Sequence, residues 1–280
     1  MTASSQLTIK KIGGFVKKNI IFISIGLIIA FFIILAVLGV NFGQWLANTV
    51  LLYYEEFGDF GIYLGIFLIS IFGNFTIIFP VPYIVALIVV SAIIPGVNPI
   101  LIGFVGALGA SIGEVSAWLI GRGGKNMIGE GKNITRMKSY VEKGWAPLLI
   151  FIFAATPLPD DAFLIVLGIM GYGILKALLF CFLGKFVLCF LSSALPIWFA
   201  DTQLGDFLFG LFGIDLEAAR EGIVPPSTMG DIVVSSIMWT ATLIILLLFV
   251  YIDWGALIKK IGLFRKKISK EPKKTRNSLE

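Results

Sequence analysis

The chain has 280 residues, is 58% hydrophobic and only 14% charged, and carries a net charge of +5 without a single histidine. With a mean hydropathy of +0.97 it is not a soluble globule, since several apolar runs reach the ~20 residues that cross a bilayer. The missing histidine excludes histidine proton relays and histidine metal ligation.

In chain order, residues 1–19 hold Lys10, Lys11, Lys17 and Lys18 and no acid. The run Ile20–Val40 is too long for a signal-peptide core and lacks a small-residue cleavage site, so it reads as a retained span. Residues 41–59 carry Glu55, Glu56 and Asp59 and no base. Within them, Gln44–Phe57 reads as an interfacial helix, with Trp45, Tyr53 and Tyr54 suited to headgroup depth. Three apolar pieces follow, at 60–79, 83–94 and 99–120. Pro80-Val81-Pro82 divides the first two, and no unbroken helix passes through such a pair. Gly103, Gly106, Gly109 and Gly113 put small residues along 99–120, which suits close helix packing.

Residues 121–145 are basic, with Arg122 placed to meet headgroups. Gly121-Arg122-Gly123-Gly124 lacks the strand, helix and Lys-Ser/Thr ending of a phosphate loop. A short amphipathic helix is expected at 133–143 from Ile134, Met137 and Val141. Next come an apolar segment at 146–156, a second break at Pro157-Leu158-Pro159, a return over 162–174 and a long run at 176–199. That last run holds Cys181 and Cys189, ~12 Å apart by helical rise and therefore too far to bridge. Residues 200–231 are acidic, with Arg220 against Asp201, Asp206, Asp215, Glu217, Glu221 and Asp231. A final span at 231–252 leads into a basic tail.

The alternation of charge places both termini and the 121–145 loop in the cytoplasm and the acidic segments outside. Between 60 and 120 the chain must then cross once in net terms. A re-entrant hairpin turning at Pro80 and Pro82, followed by a full span, satisfies this, and so do three full crossings. The second half repeats the pattern from the other face, turning at Pro157 and Pro159. The expected fold is an all-α polytopic membrane protein built as an inverted repeat of two units, each a re-entrant helical hairpin plus a transmembrane helix. The expected parts are residues 1–56 (basic arm, span, interfacial helix), 57–200 (core), 201–230 (external acidic loop), 231–252 (span) and 253–280 (basic cytoplasmic tail).

Four charges fall at membrane depth: Glu114, Asp160, Asp161 and Lys185. Each costs ~2.5–3.5 kcal/mol at the centre of a span. Gly113-Glu114 and Gly184-Lys185 occupy similar places in the two units. They form either a buried ion pair that fixes helix register or part of a transport site, and the two roles are compatible. Asp160 and Asp161 either cap the helix that follows or, as repelling neighbours, hold a proton between them. The first hairpin offers only Asn74 and Tyr83 near its tip, so any proton site is asymmetric.

The series Phe79-Pro80-Val81-Pro82, Gly109-Ala110-Ser111-Ile112-Gly113-Glu114, Trp118, Gly121-Arg122, Thr156-Pro157-Leu158-Pro159-Asp160-Asp161, Leu167-Gly168-Ile169-Met170 and Gly184-Lys185 resembles the VTT-domain superfamily. These are the DedA or SNARE-associated Golgi-type membrane proteins, and the resemblance covers roughly residues 57–200. It implies opposed re-entrant hairpins and movement of phospholipid or a polyprenyl-phosphate-type lipid across the bilayer, with proton dependence in bacterial relatives. Bacterial members tend to carry arginines around the second hairpin motif, where this chain has Ala154, Ala155 and the aspartate pair. Phosphate binding through those arginines does not carry over, and the aspartates resemble an archaeal-type branch.

The expected function is a lipid transporter or scramblase of the cell membrane, coupled to protons, with membrane lipids as partners and no cofactor, metal, catalytic residue or nucleic acid. Two other readings stand beside it: a proton- or cation-coupled carrier of a small solute, and a membrane assembly factor whose broken helices serve packing alone. Enzyme chemistry is the poorest fit, because the aspartates lack the Gly-x-Gly-Asp setting of membrane aspartyl proteases.

Overall fold

The computed structural model describes residues 3–75, 83–124, 141–142, 144–156, 160–223 and 225–251. Among them every regular element is a helix. These are α1 (Ala3–Val37), α2 (Phe42–Phe75), α3 (Tyr83–Ile93), α4 (Pro99–Gly113), α5 (Val115–Gly123), α6 (Ala146–Ala154), α7 (Asp160–Met170), α8 (Ile174–Phe199), α9 (Gln203–Leu211), α10 (Leu216–Arg220) and α11 (Met229–Tyr251). Among the described residues, those up to Leu27 with those from Thr242 onward form one compact unit, and those of 28–241 form another. Among the described residues, four stretches are long and apolar enough to cross a membrane: α2, the α4–α5 pair, α8 and Met229–Leu248 of α11. The apolar part of α1, Ile21–Val37, is shorter than these.

Several expected boundaries have visible causes. α2 is two helices merged across Gly58, whose φ of 60° and ψ of −159° suit only a residue without Cβ. That break separates the 44–57 segment from the apolar run after it. The expected single run at 99–120 is interrupted at Glu114, between α4 and α5. The Ser116 hydroxyl lies 2.8 Å from Gly113 O and 3.1 Å from Phe75 O, so it can serve the backbone at the joint. Residues 201–230, expected as a loop, instead contain α9 and α10. Ile214, Leu216 and Ala219 are buried in the same core as residues of α2 and α3, and burying them outweighs the solubility of the acids between them. The tips at Pro80, Pro82, Pro157 and Pro159 lie outside the described residues, as do the expected amphipathic helix over most of 133–143 and the basic tail.

The helices α3, α6 and α7 have 11, 9 and 11 residues. At ~1.5 Å per residue none reaches ~30 Å, so none crosses a bilayer alone. α3 packs on α2 and α8, α7 packs on α5 and α6, and α4 packs against α2 and α8. Glycines permit the crossings. A Cβ on Gly109 or Gly113 would strike the carbonyls of Phe67 or Ile71 on α2, and one on Gly184 would strike Phe151 O on α6. A Cβ on Gly121 or Gly168 would strike Ile165 O or Trp118 O where α5 meets α7.

Arginines stand at the C-terminal ends of both 11-residue helices, where cations suit the helix dipole. Arg220 Nε donates to Ala92 O at 3.0 Å and also pairs with Asp201. This gives the lone base of the acidic segment a structural task. Arg122 lies over Gly171, just beyond α7.

Candidate functional site: a buried ionic centre

Lys185 is the hub. It follows Gly184 in the middle of α8 and is 4% exposed. Its ammonium has three donors and no acceptor, and it faces three partners. Nζ lies 3.0 Å from Glu114 Oε1 and 2.7 Å from Asp160 Oδ2, and it donates to Asn74 Oδ1 at 3.0 Å. The Asp160 contact is an ion pair by distance without hydrogen-bond alignment. Asn74 is itself held, its Nδ2 donating to Ser70 O at 2.8 Å. Glu114 is 1% exposed and sits at the α4–α5 joint, while Asp160 is 8% exposed and opens α7.

Sequence and placement are connected. Gly113 brings α4 onto the Ile71–Asn74 turn of α2, and Gly184 brings α8 onto the Phe151–Ala154 turn of α6. In each case the residue after the glycine is the ionic one. The opposite charges therefore meet where α4 and α8 pack together.

The two aspartates divide their tasks. Asp160 turns to Lys185, whereas Asp161 is half-buried and faces Glu114, side chain to side chain. The expectation that Asp160 and Asp161 share one proton with each other is not met by this arrangement. Consecutive residues on a helix point about 100° apart, so adjacency in sequence separates these carboxylates and each finds a different partner.

Four further groups belong to the surroundings. Tyr83, the first residue of α3, is 7% exposed, interacts electrostatically with Lys185 and accepts from Cys189 Sγ at 3.9 Å. Ser111, on α4, lies near Cys181 and is buried with its hydroxyl unpartnered. On α8, Ala177, Cys181, Lys185, Cys189 and Ser193 recur every four residues and all are buried. Ser193 completes this file with a 2.7 Å hydrogen bond to Ser91. Tyr83 was legible as a site member, because it follows Pro82 as Asp160 follows Pro159. The i, i+4 spacing along α8 would have found the file. Asn74 was named beside Tyr83 as a polar group near the first tip, but its hold on Lys185 depends on which turn of α2 meets α4.

Arg122 is exposed at the far end of α5, outside this centre. Among the described residues no group of acids and cysteines is arranged to hold a metal ion. A separate surface cavity of about 460 Å³ is lined by Asn41, Gln44, Asp206, Asp215, Glu217 and Asp231 among others. It contains none of the four buried charges. Its Asp215 and Asp231 already cap helices or turns through Ala218 N and Thr228 N.

No protein-family model matches the chain, and neither a curated protein nor a solved structure does.

Proposed function

We propose that the protein moves lipid across a membrane, with the Glu114–Lys185–Asp160 centre as the polar midpoint of the path and proton uptake as its coupling. The observation that carries this reading is the centre itself: a lysine and three acids assembled between apolar helices. Structural stability alone does not call for it, since replacing a buried ion pair by apolar groups is often neutral or stabilising. Ionisable groups at such depth mark substrate or ion paths by default.

The helix arrangement supports the finer architecture of two opposed re-entrant hairpins. α3 and α7 have equal length, each opens on the residue after a Pro-x-Pro break, and each packs on the other half, α3 on α8 and α7 on α5 at the end of the α4–α5 stretch. A VTT/DedA-like identity rests on the motifs alone. In this architecture both termini are cytoplasmic, the acidic segment faces outward, and Arg122 meets headgroups on the inner side.

Purified protein in liposomes with fluorescent phospholipids in one leaflet tests the proposal. Lipid crossing should exceed that of empty liposomes and should fall on Lys185→Met. No crossing with phospholipid or polyprenyl phosphate, at any pH gradient, would refute it. A second reading, a proton-coupled carrier of a small solute, is favoured by how little of the centre is exposed. Gradient-driven uptake of a soluble substrate without lipid crossing would establish it. An unchanged cellular phenotype after neutralising all four charges would favour the assembly-factor reading.

A further inference from the structure

The centre contains more acid than base. Lys185 spends its donors on Asn74, Glu114 Oε1 and Asp160, and Asp161 brings a third carboxylate against one ammonium. Three carboxylate oxygens are buried without a hydrogen-bond donor; Asp160 Oδ2 is still held by its ion pair with Lys185, which leaves Glu114 Oε2 and Asp161 Oδ1 with neither. Ionised carboxylates only accept, yet these two side chains lie within hydrogen-bonding reach of one another. Two acceptors in contact inside a low-dielectric interior repel, and a buried polar atom without a partner is costly, more so when charged. One proton resolves both defects, turning the repulsion into an O–H···O hydrogen bond.

We infer that the centre binds a single proton, shared between the carboxyl groups of Glu114 and Asp161, while Lys185 remains charged against Glu114 and Asp160. This deepens the coupling reading proposed above and rests on it for its role in transport. Lys185, Cys181 and Asp160 interact with the pair, and the groups set behind them from the other packed elements are Asn74 on α2 and Tyr83 on α3, against Lys185, and Ser111 on α4, near Cys181. Lys185 is the one cation among them, and the hydroxyl, thiol and amide groups are neutral. Hydronium delivers the proton and leaves as water. Asp161 is the more exposed of the pair, so exchange enters from its side. The proton then governs whether Glu114 carries a full charge toward Lys185, which joins α7 to the α4–α8 crossing.

Infrared spectroscopy of the purified protein in lipid nanodiscs reads this proton without any transport. The wild type should show a carboxylic-acid C=O band at neutral pH that shifts in D₂O. Asp161→Asn should abolish it, because the new amide donates to Glu114 Oε2. Glu114→Gln should abolish it for the reciprocal reason, and Asp160→Asn should retain it. The inference fails if the band survives Asp161→Asn, if Asp160→Asn alone removes it, or if the wild type shows no band. A band that sodium at constant pH replaces would show a cation site instead and would equally overturn it. Gel filtration checks folding, and Asp161→Asn, at the half-buried position, decides the matter alone if Glu114→Gln does not fold. Lipid crossing without the band refutes the proton, whereas the band without lipid crossing refutes the transport reading.

Discussion

Removing Lys185 tests the ionic centre most directly. At an effective dielectric of ~20, two charges ~3 Å apart attract by about 5–6 kcal/mol. Lys185 makes two such contacts, at 3.0 and 2.7 Å. Desolvation of the ions takes back most of that attraction, so the intact centre contributes little net stability. Breaking it is another matter. Lys185→Met strands Glu114 and Asp160 and leaves Asn74 Oδ1 without its lysine donor. The cost belongs at or above the usual ~3–5 kcal/mol for one broken partner. Glu114→Gln is milder, at roughly 1–3 kcal/mol, because Lys185 retains Asp160 and Asn74, and glutamine still offers an acceptor. The double variant Glu114→Gln/Lys185→Met recovers only part of the loss, since Asp160 stays unpaired. The triple variant with Asp160→Asn added should approach wild type. Graded SDS unfolding in mixed micelles, followed by tryptophan fluorescence, gives the ranking. If the triple variant shows the sum of the single losses, the three residues do not act as one unit and the centre is misassigned.

Ser91→Ala should cost ~1–3 kcal/mol by stranding the Ser193 hydroxyl, while Ser91→Ala/Ser193→Ala should be closer to neutral, in the same unfolding assay. Gly168→Ala should cost ~1–3 kcal/mol because its Cβ meets Trp118 O and Arg122 N, whereas Gly173→Ala meets no atom within 4 Å; equal thermal midpoints would contradict this crossing. Arg220→Met should destabilise by ~1–3 kcal/mol through loss of the charged bond to Ala92 O, and Asp201→Ala should be nearly silent because its side chain is 75% exposed. In a background lacking Cys181 and Cys189, single cysteines at Pro95 or Gly96, the exposed end of Ser91–Gly96, should label from outside and those at the exposed Gly171, Gly173 or Leu175 from inside. Labelling at Ser91–Gly96 only from the cytoplasm would overturn the opposed hairpins.

The long apolar runs were legible because hydropathy and length decide them without tertiary knowledge. The Pro-x-Pro pairs marked where α3 and α7 begin for a similarly local reason. What sequence could not supply was direction. A helix at 203–211 and another at 216–220 depend on a few apolar residues, Ile214, Leu216 and Ala219, finding a core made by α2 and α3. Composition saw only the surrounding acids. The interruption at Glu114 is equally non-local, since Ser116 reaches across to Phe75 O at the end of α2.

The ionic centre shows the same division between what is repeated and what is particular. Its framework has two matching contacts: a glycine seats α4 on α2 and another seats α8 on α6, and in each case the next residue carries the charge. Its contents are not doubled. Tyr83 and Asp160 open helices of equal length, yet one presents a neutral phenol and the other a carboxylate. With glutamate from one half and lysine from the other, a strictly repeated centre would hold one acid and one base and would bind no proton. Asp160 satisfies the lysine a second time, which releases one oxygen of Glu114 to face Asp161. The surplus acid therefore enters entirely through α7. Under the opposed-hairpin reading proposed above, the charge that the centre would gain and lose comes from α7 and has no counterpart on α3, where Tyr83 stands in the place of Asp160.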